Sequence, residues 1–194
     1  QLYCRQHRQW TGQVQSLSPN GKHKVLMTEA DGKRMVTPNF PFIDSKNRLW
    51  VSNSTEHEDL NAALQGYIPD GSIVLVENNK SLIVTGGICF AKGLTLDADE
   101  KYLYVAETMK RRILRYQIAH NGSLSRMEVY GPNILGTLGY PDGIAFDEAG
   151  NLWITFPSWN AVGYLTPQKE LVMYLEDPDG KTLKVHDHSF GAAH

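Results

Sequence analysis

Tyr140-Pro-Asp-Gly-Ile-Ala-Phe-Asp-Glu-Ala-Gly-Asn-Leu-Trp-Ile-Thr155 reads as a loop bearing a carboxylate, a short apolar strand over 143–146, a turn on Gly150-Asn151 and a second apolar strand over 152–155. Asp142 stands at the mouth of the first strand. Two earlier stretches repeat the pattern: Ala91-Lys-Gly-Leu-Thr-Leu-Asp-Ala-Asp-Glu-Lys-Tyr-Leu-Tyr-Val105 and Pro38-Asn-Phe-Pro-Phe-Ile-Asp-Ser-Lys-Asn-Arg-Leu-Trp-Val51. Aligned on the Asp that ends each first strand, they place Asp44, Asp97 and Asp147 at steps of 53 and 50 residues. Strands and tight turns repeating every ~40–50 residues mark the blades of a β-propeller, because a lone blade cannot bury both of its faces. The repeat therefore predicts an all-β propeller. It also predicts that Asn39, Lys92 and Asp142, each just before an innermost strand, converge at one end of the central channel.

The 194 residues read as a single propeller domain, with blade starts near 38, 91, 141 and 187. That is roughly three and a half blades, whereas closure takes about four or more. An open stack leaves apolar sheet faces uncovered, so missing blades or a second chain are expected to complete it. Gly12 to Leu17 alternates as a strand, Pro19-Asn-Gly21 turns, and Lys24 to Met27 pairs back. Residues 52–66 are polar and then briefly helix-compatible, the expected form of a lid loop shaping the pocket. Trp50, Tyr104 and Trp153 recur at one position of the repeat, which argues for packing between blades rather than stacking on a ligand.

Nineteen basic and 21 acidic residues, net charge −2, are spread without blocks, so nothing points to nucleic acid or an anionic membrane as partner. Lys110-Arg-Arg112 is the one basic cluster and reads as a solvated turn. There is no run of 18 apolar residues, no Gly-x-Ser-x-Gly elbow, no phosphate loop and no dinucleotide fingerprint. Cys4 and Cys89 each sit in an apolar strand and read as buried thiols; one bridge is the alternative. Sequons at Asn53, Asn79 and Asn121 are short enough to arise by chance, and the compartment stays open.

In order and spacing, Gln13-Val-Gln-Ser-Leu-Ser-Pro-Asn-Gly21, Gly32-Lys-Arg-Met-Val-Thr-Pro-Asn39, Gly93-Leu-Thr-Leu-Asp97 with Leu103-Tyr-Val-Ala-Glu-Thr108, and Pro141-Asp-Gly143 with Gly150-Asn-Leu-Trp153 resemble the senescence-marker-protein/gluconolactonase family of six-bladed propellers. The resemblance implies hydrolysis of a small lactone or related ester, assisted by a divalent cation, calcium or zinc, that a Glu, an Asn and an Asp hold over the channel. Asp142 falls on the Asp ligand and Asn39 on a substrate-contacting Asn. Lys92 stands where the Asn ligand is expected, Phe40 replaces an Asp that often follows Asn39, and the Glu ligand falls outside this chain. An ammonium has no lone pair for a cation. The expectation is then that Lys92 takes the cation's place, paired with Asp142, or else points away while a neighbour supplies the ligand. Tyr102-Leu-Tyr-Val-Ala-Glu-Thr108 with Arg111-Arg-Ile-Leu-Arg-Tyr116 also resembles the strictosidine-synthase-like relatives. That likeness implies, as alternatives, a metal-independent enzyme or a non-catalytic propeller that binds small molecules or proteins.

Asp142 and Lys92 are thus the candidate catalytic residues. Asn39, Trp159 and Glu107 are the candidate substrate contacts, Glu107 and Thr108 because they lie just past an inner strand and Trp159 because it follows a blade's second strand. Glu56-His-Glu-Asp59 offers general-base groups but reads as a solvated acidic loop. His186-Asp-His-Ser-Phe-Gly-Ala-Ala-His194 lacks structural zinc spacing, and His7 reads as a surface residue.

Overall fold

The computed structural model describes residues 2–5 and 12–181. His7, the His186–His194 stretch, the blade start near 187 and the side chain of Cys4 lie outside the described residues. Cys89 is buried. The chain forms two compact units, one of residues up to 91 with 120–124, the other of 92–119 and 125 onward.

In the first unit, β1 (Leu2–Arg5), β2 (Gln13–Leu17) and β3 (His23–Met27) make an antiparallel sheet. The small hairpin β4 (Glu29–Ala30) and β5 (Lys33–Arg34) follows. Next, β6 (Pro38–Ile43), β7 (Leu49–Asn53), β8 (Gly71–Glu77) and β9 (Lys80–Ile88) form a four-stranded up-and-down sheet. Val14, Met27, Leu49, Val51 and Val74 pack together as its core. The β4–β5 hairpin blunts the outer edge of that sheet. Asp31 donates its N–H to Ser81 O at 3.0 Å and accepts from the Ile83 N–H through Oδ2 at 2.8 Å, so edge groups that would invite another strand are satisfied.

The segment expected to form a lid begins later than its polarity suggests, because Ser52 and Asn53 complete β7. Beyond them the chain folds on itself. Thr55 Oγ1 lies 2.8 Å from both carboxylate oxygens of Asp70, and Asp59 caps the short helix α1 (Leu60–Gln65) by accepting from the Asn61 and Ala62 N–H groups.

In the second unit, β10 (Ala91–Leu96), β11 (Tyr102–Glu107), β12 (Arg112–Gln117) and β13 (Glu128–Tyr130) form one sheet; β14 (Ile144–Phe146), β15 (Leu152–Phe156), β16 (Ala161–Leu165) and β17 (Leu171–Glu176) form another. Their facing side chains, among them Tyr104, Ile113, Tyr130, Ile144, Ile154 and Phe156, share one core. Tyr104 meets Tyr130 and Phe146 edge-on, ring centroids 4.9 and 4.8 Å apart.

The carboxylates used to align the repeat are structural. Asp44 Oδ1 accepts from the Arg48 N–H at 2.8 Å, while Oδ2 accepts from Arg48 Nε at 2.6 Å and Trp50 Nε1 at 3.0 Å. Asp147 repeats the arrangement with the Asn151 N–H, Asn151 Nδ2 and Trp153 Nε1, all at 2.8 Å. Asp97 keeps only the backbone part, accepting from the Tyr102 N–H at 2.8 Å, since Tyr104 carries no indole to reach it. The recurring tryptophans therefore tie the turns as well as packing the sheets. Burial by itself raises the Asp44 carboxyl; the Trp50 and Arg48 hydrogen bonds outweigh it and hold the group below its usual range. Hydrogen bonds from Asn151 and then Trp153 bring Asp147 down from 3.8 to about 2.

A carboxyl depressed in the fold contributes stability above its unfolded value and loses it as pH falls through the folded one. Denaturant melts between pH 5 and pH 2 are therefore expected to lose stability mainly below ~4, with a shallower loss in Asp147→Asn. Equal slopes in the two proteins overturn this assignment.

Candidate functional site

Asp142 is fixed by its backbone. Its N–H donates to Thr155 O at 3.0 Å, the Gly143 N–H donates to Thr155 Oγ1 at 2.9 Å, and the Thr108 hydroxyl holds Pro141 O at 2.8 Å. On the remaining side the Gly93 N–H donates to Asp142 O at 2.9 Å. That last approach needs glycine, because a Cβ at position 93 falls 2.4 Å from Asp142 O and 2.9 Å from Ile144 N. The contact brings the first residues of β10 against the loop entering β14 and delivers Lys92 to Asp142. Lys92 Nζ lies 2.8 Å from Asp142 Oδ2, with the lysine side chain 4% and the aspartate side chain 16% exposed. A charged pair withdrawn this far from water depends on each partner, since removing one strands the other.

Glu107 is fully enclosed at the end of β11, its carboxylate 2.6 Å from Arg112 Nε and 3.6 Å from Lys110 Nζ. The carboxylate thus takes part in an ion cluster with both cations. Thr108, beside it, is the residue that reaches the Asp142 loop. Trp159 sits half-buried in the 3₁₀ turn Pro157–Trp159, against Phe156 and over Gly136. Asn39 belongs to the first unit, where the register slips between Pro38 and Phe40. This bulge leaves Asn39 outside the ladder. In the 56–59 stretch, His57 Nδ1 is 3.1 Å from the Asp59 N–H, Asp59 caps α1, and Glu58 faces Arg34 at 3.8 Å. All four residues are exposed, the solvated acidic loop expected from the sequence. Asn53 is buried and holds the Thr37 N–H, so its sequon is not at the surface. Thr108 stood out in the sequence by its place at a strand end, whereas Gly93 and Thr155 did not stand out as holders of the site; the Lys-Gly step at the start of β10 is their only local sign.

A profile for the SMP-30/Gluconolactonase/LRE-like region matches residues 4–183. The chain belongs to this family. A strictosidine synthase-like protein of Arabidopsis thaliana is 31% identical over 150 residues, covering 74% of the chain and 38% of that protein. A 6-deoxy-6-sulfogluconolactonase of Pseudomonas putida is 23% identical over 137 residues, covering 70% and 44%. The structure of a gluconolactonase from Xanthomonas campestris superposes with a TM-score of 0.71 at 18% identity, covering 91% of this chain and 58% of that one. The chain thus spans about two-fifths to three-fifths of the length of these relatives. The likeness in structure concerns the fold, an all-β propeller type built from four-stranded antiparallel sheets.

The residues at Asp142 do not fit a divalent cation. A cation site needs converging lone pairs. Here an ammonium with three N–H donors and no lone pair takes Asp142 Oδ2, and among the described residues no three His, Cys, Asp or Glu side chains cluster.

Gly93→Ala is expected to cost about 1–3 kcal/mol from overpacking, since backbone on the Asp142 side must move. Chemical denaturation checks this; an unchanged midpoint means the two loops adjust freely.

Proposed function

We propose that the chain supplies part of a six-bladed propeller that hydrolyses a small lactone or related ester, with Lys92 and Asp142 as its reacting groups. The 2.8 Å pair at the ends of two sheets carries the reading, and the lactonase named among the relatives supports the substrate class. Lys92 donates to the substrate carbonyl oxygen and stabilises the oxyanion, the part a Lewis-acidic cation plays elsewhere. Asp142 takes a proton from the water whose oxygen bonds to the carbonyl carbon. The ring C–O bond then breaks and that proton passes to the leaving alkoxide, so one water is consumed and a hydroxy acid forms. The resemblance assigns Asn39 a substrate contact, which suits an amide released from the ladder by a bulge. Its likeness to a strictosidine synthase-like protein favours, as the second reading, a propeller with other metal-independent chemistry or with binding alone.

Gluconolactone and a panel of small lactones and esters are expected to be hydrolysed equally with chelator and with added calcium or zinc. Lys92→Met is expected to lower kcat about 10²–10³-fold, the range for removing an oxyanion donor. Turnover that vanishes with chelator and returns with metal overturns the assignment of Lys92. No turnover under any condition favours the second reading. By calorimetry, Lys92→Asn is expected to gain calcium or zinc binding that the parent lacks; identical traces for both proteins count against an ammonium in the cation's place.

A further inference from the structure

Three cations stand in a row at Lys110-Arg-Arg112, and one buried carboxylate serves two of them. Glu107 takes Arg112 and Lys110, leaving Arg111 without an ion-pair partner among the described residues. The cluster forms the half-exposed turn between β11 and β12 that its composition suggests, with ion pairs folded back onto it. Arg111 holds φ at +52°, a left-handed backbone that is strained for a long side chain and persists only where neighbours impose it. They do so here: its N–H donates to Thr108 O at 2.9 Å and its O accepts from the Leu135 N–H at 2.8 Å.

The guanidinium is aimed by that turn. Nη1 donates to Thr137 O at 2.9 Å, and Cζ lies 5.5 Å from the centroid of the Tyr140 ring. Nε is enclosed and has no hydrogen-bond acceptor among the described residues. Enclosed in this way it is closed to a ligand, so only the Nη end of the guanidinium can meet an oxyanion. Tyr140 precedes Asp142 by two residues, and Thr108 grips Pro141 between them. A guanidinium with no ion-pair partner among the described residues is thus fastened to the loop that presents Asp142. Gly136, one residue before Thr137, lies under the Trp159 ring and gives the same loop an aromatic flank.

We propose that Arg111 is an anion subsite: it binds a carboxylate, sulfonate or phosphate carried by the substrate away from its reacting carbonyl. The proposal rests on the lactone or ester reading for what happens at Asp142, but the binding it predicts needs no turnover. A guanidinium matches such oxyanions in a bidentate manner, and stacking on Tyr140 fixes its plane. A purely structural role, pinning the 131–141 loop through Thr137 and Tyr140, is the competing explanation.

Two measurements separate them. In calorimetry, glucose 6-phosphate is expected to bind the parent protein more tightly than glucose. Arg111→Gln, which keeps an N–H donor without the charge, should weaken glucose 6-phosphate about 10–100-fold and leave glucose unchanged. Arg111→Lys should retain part of the difference. In kinetics, Arg111→Gln should raise KM for 6-phosphogluconolactone by a similar factor, with kcat and the parameters for gluconolactone within about twofold. Loss of both ligands together in Arg111→Gln overturns the subsite in favour of a structural pin. Equal binding of the two ligands by the parent also overturns it. Selective binding that depends on Arg111 without any hydrolysis upholds the subsite and removes the lactonase reading instead.

Discussion

A four-stranded sheet that is apolar on both faces has to be covered on both, and the rest of this molecule follows from that constraint. Along β11, Leu103, Tyr104, Val105 and Ala106 alternate between faces, yet none is more than 5% exposed. Such strands leave little room for charged side chains along their length, and the polar ones they hold are tied by hydrogen bonds, as Ser52 and Asn53 are. Charged groups are displaced to strand ends and turns, where they either fasten the fold or meet a ligand. Asp44, Asp97 and Asp147 fasten it at one type of turn; Lys92 and Asp142 lie where chain enters an inner strand.

Those placements explain why so much of the fold could be read from residues alone. The Asp that closes each first hairpin and the Trp that follows are local, six residues apart, and bound to one another in two of the three repeats. A short-range bond that recurs at a fixed step leaves its period in the sequence. The Lys92 to Asp142 contact is long-range, but the two residues are 50 apart, one repeat step, so aligning the repeats already put them at equivalent strand ends. Position at a strand end, by contrast, does not show that Glu107 is enclosed by its own cations, since that depends on Lys110 and Arg112 turning back onto it.

What stayed hidden has no period. The closure of 55 onto 70 depends on one hydroxyl meeting one carboxylate across a 15-residue excursion, and Ser52 and Asn53 are polar yet belong to a strand because their side chains satisfy the Phe40 and Thr37 N–H groups. The bulge at Asn39 is a backbone event with no composition of its own. Arg111 looked like any surface cation because its environment is supplied by residues 26 and 29 positions further on.

Charge balance links the two ends of the functional argument. A lysine and an aspartate in contact sum to zero, and so does a dication held by an Asp and a Glu. On the proposed assignment an ammonium therefore keeps the charge balance and exchanges a Lewis acid for hydrogen-bond donors. Arg111 is the one member of its basic cluster with no acid assigned to it, and it is attached to the Asp142 loop through Thr108, Pro141 and Tyr140. A guanidinium there adds a positive charge to one side of the reacting centre. Field at the carbonyl accelerates bond-making, while field set to one side selects which substrates arrive. On the assignments proposed for Lys92 and Arg111, the reacting carbonyl meets hydrogen-bond donors while discrimination falls on the group that the substrate carries elsewhere.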